Sequence, residues 1–166
     1  MLSIGIVWNT CYHFRDDIVN DIEDTNVNLL GFFDAKTDNY RNFVNLLYNS
    51  EHMEQWKIDK KLEYMLMISE TSIRVIFFEF DESITDYHPF KKKMVFSDLE
   101  NLKVKIRNKY KELISNYTFD IVFHATDDLM ELKMVYNILL QNAENFIIEK
   151  KHKHNVDSLL NLVKKL

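Results

Sequence analysis

Two glycines and one proline are all the backbone punctuation that 166 residues carry, where average usage would give about ten and about eight. Glycine lets a backbone turn through positive φ or approach a phosphate closely, so its scarcity removes whole classes of site. The chain contains no G-x-G-x-x-G, no G-x-x-x-x-G-K-[ST] and no G-x-S-x-G. Dinucleotide-type Rossmann, P-loop and nucleophile-elbow hydrolase readings fall away with them. An anion bound by this chain must be held by side chains or by a helix N-terminus.

The chain can still build a core: 46% of its residues are hydrophobic and 13% aromatic, and 28% charged residues supply a polar surface. At this length a single domain is expected to bury roughly 70% of its unfolded surface without disulfide or metal staples. A formal charge of −5 offers no general attraction to nucleic acid, which is not an expected partner. Cys11 is the single cysteine, so an intramolecular disulfide is impossible, which suits a reducing compartment. The start has no basic segment followed by a long apolar run, and no stretch approaches the ~20 apolar residues of a membrane span. The expectation is a cytoplasmic protein.

Strands and helices alternate along the sequence. Residues 3–8 form an apolar, β-branched run that reads as a first strand, with Asn9 and Thr10 at its end. Phe14, Ile18, Val19 and Ile22 follow at helical spacing, with Asp16 and Asp17 early, where the helix dipole favours negative charge. Residues 26–33 read as a second strand ending in Asp34, Lys36 and Thr37, and Tyr40, Phe43, Val44, Leu47 and Tyr48 give a second helical stripe. Residues 53–69 read as a helix because Met and Leu are better helix than strand formers. Residues 73–80 are the strongest strand, closing with Glu79 and Asp81.

Residues 86–93 hold the only proline and read as a loop or edge excursion. Ser97-Asp98-Leu99-Glu100 has the form of a capping box opening a long helix. Residues 119–128 then read as a buried strand delivering His124, Thr126, Asp127 and Asp128 to the amphipathic helix after it, with Asp128-x-x-Glu131 as a second capping box. A basic segment follows, in which His152 and His154 are expected to be exposed, and then a short amphipathic helix. The alternation predicts one three-layer α/β domain over residues 1–148, with a mainly parallel central sheet of four or five strands and helices on both faces. Residues 149–166 are expected to pack on that domain or on a second subunit of a homo-oligomer.

In a parallel sheet the carboxyl ends of the strands lie along one edge, where open α/β sheets place ligands. His124 is there the candidate acid/base, and Asp127 its candidate catalytic partner. Turns favour Asn, Asp and Thr whatever the function, so the same residues also fit simple strand ends and helix caps. Trp8, Asn9, Thr126 and the cations Lys103 and Arg107 are candidate ligand-binding residues, Arg107 because a guanidinium grips phosphate bidentately. Glu79 and Asp81 form an alternating acidic pair of the kind nucleotidyltransferases use to hold Mg²⁺, although the Gly-Ser turn expected before such a pair is missing. One cysteine and scattered histidines give no zinc-type spacing, and nothing points to haem, NAD or FAD.

The order of a strand ending in Trp8, a helix with Lys103 and Arg107, and His124-Ala125-Thr126-Asp127 followed by Glu131 resembles a group of small uncharacterised bacterial α/β proteins. That resemblance implies a shared site and no activity. The expected function is a small transferase-like enzyme acting on a nucleotide or other phosphorylated ligand. The alternative is a non-catalytic binding or regulatory module for a protein partner or small ligand.

Overall fold

The computed structural model describes every residue except 38, 52, 90–91, 116, 118–119, 143–145, 153–155 and 166. In chain order the elements are β1 (Leu2–Val7), a 3-10 helix (Asn9–Phe14), α1 (Arg15–Glu23), β2 (Asn28–Thr37), α2 (Tyr40–Ser50), α3 (Gln55–Met65) and β3 (Ser72–Glu79). They continue with β4 (Thr85–His88), β5 (Lys93–Phe96), α4 (Ser97–Lys111), β6 (Phe123–Ala125), α5 (Leu129–Gln141), β7 (Phe146–His152) and α6 (Val156–Lys164). The strand order is β6-β1-β3-β2-β7, and each neighbouring pair is antiparallel. The mainly parallel sheet predicted from the alternation is therefore wrong.

The physical reason lies in which strands become neighbours. β1 and β2 do run parallel, joined through α1, but β3 inserts between them in the opposite direction. β3 and β6 likewise run parallel, with β1 between them. These are two interlocked split β-α-β units, in which a helical crossover links parallel strands that never touch. Between β2 and β3 the chain makes two helices, and Lys36 pairs with Ser72, so the connection returns to the end of the sheet it left. The strand ends divide accordingly. β1 and β2 finish at one end of the sheet, and β3 and β6 at the other, so the four polar strand ends do not share an edge.

β1 is buried along its whole length because it faces helices on both sides. Ile4, Ile6 and Trp8 join Val75, Phe77 and the apolar stripes of α2, α3, α5 and α6 in one core. Val7, Ile76, Phe78 and Phe123 join α1 and α4 in the other. Leu159 and Val163 of α6 are buried in the first core, so the stripe of that helix is covered by its own chain. His152 and His154, expected to be exposed, lie outside the described residues or their described side chains. The excursion at 86–93 contributes to a β4–β5 hairpin, with Thr85 opposite Phe96 and His88 opposite Lys93.

Asp34 lies inside β2, which runs on to Thr37 rather than stopping at Phe33. Its carboxylate takes two bonds from its cross-strand partner Arg74, Nε to Oδ1 at 2.6 Å and Nη2 to Oδ2 at 2.8 Å. Both residues are at most 1% exposed, and the Arg74 guanidinium also lies 4.3 Å from the centre of the Phe32 ring. Arg15 adds a third cationic contact at 3.4 Å.

Gly5 is required by a close approach, since a Cβ there would stand 2.8 Å from the Phe123 ring. Gly5→Ala is expected to cost about 1–3 kcal/mol in urea unfolding through overpacking. Arg74→Met removes both close hydrogen bonds from the buried Asp34 carboxylate, leaving it the longer contact to Arg15, and is expected to cost roughly 3–5 kcal/mol in the same measurement.

Candidate functional site

His124 is the middle residue of β6, opposite Ile6, and so faces the core that holds α2 and α5. It is 6% exposed, and its Nε2 has no hydrogen-bond partner among the described residues. Glu51 Oε1 lies 3.4 Å from that nitrogen and Glu131 Oε1 3.5 Å. Tyr48 sets the imidazole edge-on, with ring centres 6.1 Å apart.

Each of these residues is delivered by a different element. Glu51 follows α2 and continues the stripe of Tyr40, Phe43, Val44, Leu47 and Tyr48 by another three residues, which points a carboxylate at the core. Glu131 stands in the first turn of α5, where Asp128 is the N-cap and accepts the Glu131 N–H at 2.9 Å. The capping box expected there closes one residue early: Glu131 Oε2 accepts the Asp127 N–H at 2.5 Å, leaving Oε1 to face His124. The other expected box is displaced: Phe96 is the N-cap, and Ser97 is already the first residue of α4.

Cations surround this centre. β6 is an edge strand, so the carbonyl of Phe123 points away from β1, and Arg107 of α4 donates to it from Nε at 3.1 Å. One turn earlier Lys103 is 4% exposed; it bonds Asp127 and lies 3.7 Å from Glu100. Lys61 of α3 is 3% exposed, lies 4.4 Å from the Tyr48 ring centre and donates to the Asp120 carbonyl at 3.5 Å. Asp120 is held at φ 54°, a left-handed conformation that Asp tolerates better than most residues. Its carboxylate accepts from Tyr117 Oη at 2.5 Å and pairs with Arg107 at 3.4 Å.

Burial dominates the proton equilibria. It drives the imidazole of His124 well below the usual histidine range, and the charges of Lys103 and Arg107 push the same way. Glu51 is raised to about 8, first by burial and then by the negative charge of Glu131. Glu131 is raised to about 7 by burial, against the Asp127 N–H that favours its charged form. At neutral pH a neutral imidazole therefore sits beside carboxyl groups that hold or share protons. This combination can accept, donate or relay a proton, and its three ligand atoms lie within 4.8 Å of one another.

A cleft of about 320 Å³ opens beside it, lined by Ser50, Glu51, Asp127, Asp128, Met130, Glu131 and Met134. Its polar lining is acidic, so the predicted cations stand behind the wall rather than in it. A neighbouring hollow of about 200 Å³ shares Asp127 and Asp128.

The structure brings His124, Asp127, Lys103 and Arg107 together. Trp8 stands behind them, fully buried against Tyr48 at 5.6 Å between ring centres. Asn9 is engaged elsewhere: it donates to the carbonyls of Met65 at 2.7 Å and Glu70 at 2.9 Å, and accepts from Tyr40 at 2.8 Å. Thr126 Oγ1 shares a 3.0 Å hydrogen bond with Ser3 and accepts the Ile4 N–H at 3.1 Å, tying the end of β6 to β1. Glu79 pairs with Leu2 whereas His124 pairs with Ile6. Four residues of strand separate those positions by about 13 Å. Glu79 accepts from Asn28 at 3.2 Å, and Asp81 accepts the Ser83 N–H at 2.8 Å, a turn contact.

Glu51 and Lys61 were not among the predicted site residues. The signal was available: each is a charged residue on the buried stripe of its helix, Lys61 among Ile58, Leu62 and Met65.

No protein-family profile and no curated protein matches the chain. Solved structures do. A nucleoside-diphosphate kinase from Borrelia burgdorferi, solved as a transition-state mimic with vanadate and ADP, superposes with a TM-score of 0.50 at 11% identity, over 95% of this chain and 94% of that one. A nucleoside diphosphate kinase family protein from Babesia bovis gives 0.47 at 10% identity, over 91% of this chain and 95% of that one. The first likeness shows a shared fold.

Burial lowers the pKa of Lys61 from 10.5 to about 8, so the protonated form is disfavoured in the fold. The unfolded chain binds that proton more tightly, and stability rises with pH from about 8 to 10.5. Lys61→Met is expected to be more stable than the native chain near neutrality, by an amount on the order of 3 kcal/mol. Urea unfolding across that pH window should show the difference shrinking toward zero at its upper end.

Proposed function

We propose that the protein is a transferase-type enzyme acting on a nucleotide or other phosphorylated ligand, bound in the cleft beside His124. The observation that carries this reading is the buried, neutral imidazole whose Nε2 has no hydrogen-bond partner among the described residues. Such a nitrogen is ready to take a proton from a reacting group, or to attack, without first losing its own. The fold shared with the Borrelia kinase, whose structure holds ADP and vanadate, supports a nucleotide as the ligand class.

The acidic lining shapes how such a ligand must arrive. Bare phosphate would be repelled by Asp127 and Asp128, so the ligand enters as its Mg²⁺ complex, in which the ion offsets charge on both sides. Lys103 and Arg107 lie behind the wall and stabilise charge that grows on the phosphate, at longer range than a direct clamp. Asp127 holds Lys103 in place. The one cysteine, Cys11, is buried with its thiol pushed up to about 12, a form that suits the reducing cytoplasm in which we place the enzyme.

The test is thermal unfolding with ADP, ATP or inorganic phosphate, each with and without Mg²⁺. At about 100 times its Kd a ligand of the native state adds roughly 2.7 kcal/mol, which raises Tm by about 5–11 °C for a chain of this length. Turnover of labelled ATP is expected to fall roughly 100-fold or more in His124→Ala. Absence of both effects rules the reading out.

A further inference from the structure

We propose that Glu51, His124 and Glu131 form a three-ligand site for a first-row divalent cation of the Zn²⁺ class, with its remaining position open to the cleft. This goes beyond the nucleotide reading and does not depend on it. Three acceptor atoms, His124 Nε2, Glu51 Oε1 and Glu131 Oε1, come from a strand and from the ends of two helices, and all lie within 4.8 Å of one another. Nε2 and Glu51 Oε1 are buried without a hydrogen-bond partner among the described residues. At 3.4 and 3.5 Å the two carboxyl oxygens converge on Nε2 without a hydrogen bond, an arrangement that a shared proton or a cation between them would satisfy.

A small cation fits the spacing. Ligands about 2.0–2.2 Å from a tetrahedral ion stand about 3.3–3.6 Å apart; both distances from Nε2 fall in that range, and the two carboxyl oxygens, within 4.8 Å of each other, would close on the ion as it binds. An octahedral ion of the Mg²⁺ type, with bonds of about 2.1 Å, would draw neighbouring ligands to about 3.0 Å and prefers oxygen throughout. One imidazole and two carboxylates suit zinc and its first-row neighbours, and two carboxylates balance a divalent charge.

The supporting shell is also in place. Glu131 is anchored through its other oxygen by the Asp127 N–H, and Tyr48 packs edge-on against the imidazole, which fixes two of the three ligands in orientation. Glu51 and Glu131 both line the cleft, so an ion between them is reached from solvent. A bound cation occupies the lone pair that His124 needs for proton transfer, so metal loading and base catalysis at Nε2 exclude each other.

Co²⁺ is the probe, titrated into chelator-treated full-length protein without any nucleotide, because tetrahedral Co²⁺ absorbs visible light far more strongly than the octahedral ion. The expected result is one equivalent of the intense band, displaced by Zn²⁺ but not by Mg²⁺. Affinity should fall roughly tenfold or more in Glu51→Gln, Glu131→Gln and His124→Ala. The two glutamines keep the shape of the side chain, and Glu131→Gln keeps an acceptor for the Asp127 N–H, so circular dichroism should show native folds. The site is overturned if no tetrahedral band forms in the folded native chain. It is equally overturned if the band survives all three variants, or disappears only when His152 and His154 are replaced. Failure here leaves the nucleotide-induced Tm shift untouched, and failure of that shift leaves the cobalt band untouched.

Discussion

Among the described residues β6 pairs with a strand on one side only, and the candidate site depends on that. A strand of three residues at the edge of the sheet leaves outward-facing carbonyls that need a partner. Arg107 meets the one at Phe123, and in doing so it fixes α4 against the edge. Lys103, one turn away on the same helix, is then brought to Asp127, and Asp120 is brought to Arg107. A central strand in this position would have had its carbonyls satisfied by another strand, with no opening through which side chains of α4 could influence His124. The electrostatics of the site thus follow from an incomplete ladder.

The same edge explains why the centre is largely dry. His124 faces the core between α2 and α5, and the cleft at the start of α5 gives solvent a way in. Two glutamates and an imidazole in that position cost stability, because each loses hydration that the protein only partly replaces. The rest of the chain tolerates it: two continuous cores lie on either face of β1, and the Arg74–Asp34 pair is buried with matched geometry. Groups that the fold could have buried more cheaply as leucines are a reasonable place to look for chemistry.

Much of the local structure was legible in the sequence because periodicity is a local property. The stripe of α2, the apolar run of β3 and the Asp128 cap all appear where spacing puts them. Strand direction was not legible in the same way. Alternation of strands and helices says which strands are linked by a crossover, whereas the neighbour of each strand is chosen by packing across the whole sheet. Two helices between β2 and β3 were the clue to an antiparallel pair, since a second helix carries the chain back to its starting end. His124, Lys103 and Arg107 stood out by residue type and meet in space, but the argument that placed them, four strand ends on one edge, does not hold. Glu51 escaped notice because a carboxylate at the end of a helix reads as solvated until its place on the buried stripe is counted.

Glu131 has a consequence for what sequence change this fold can accept. One of its carboxylate oxygens closes the start of α5 on the Asp127 N–H, and the other faces the imidazole. Architecture and chemistry therefore share a single side chain of a single length. Aspartate, one methylene shorter, would have to choose between the two contacts, and alanine would forfeit both. A replacement that keeps both contacts must span the same gap, so a change that removes the carboxyl group from beside the imidazole also loosens the start of the helix.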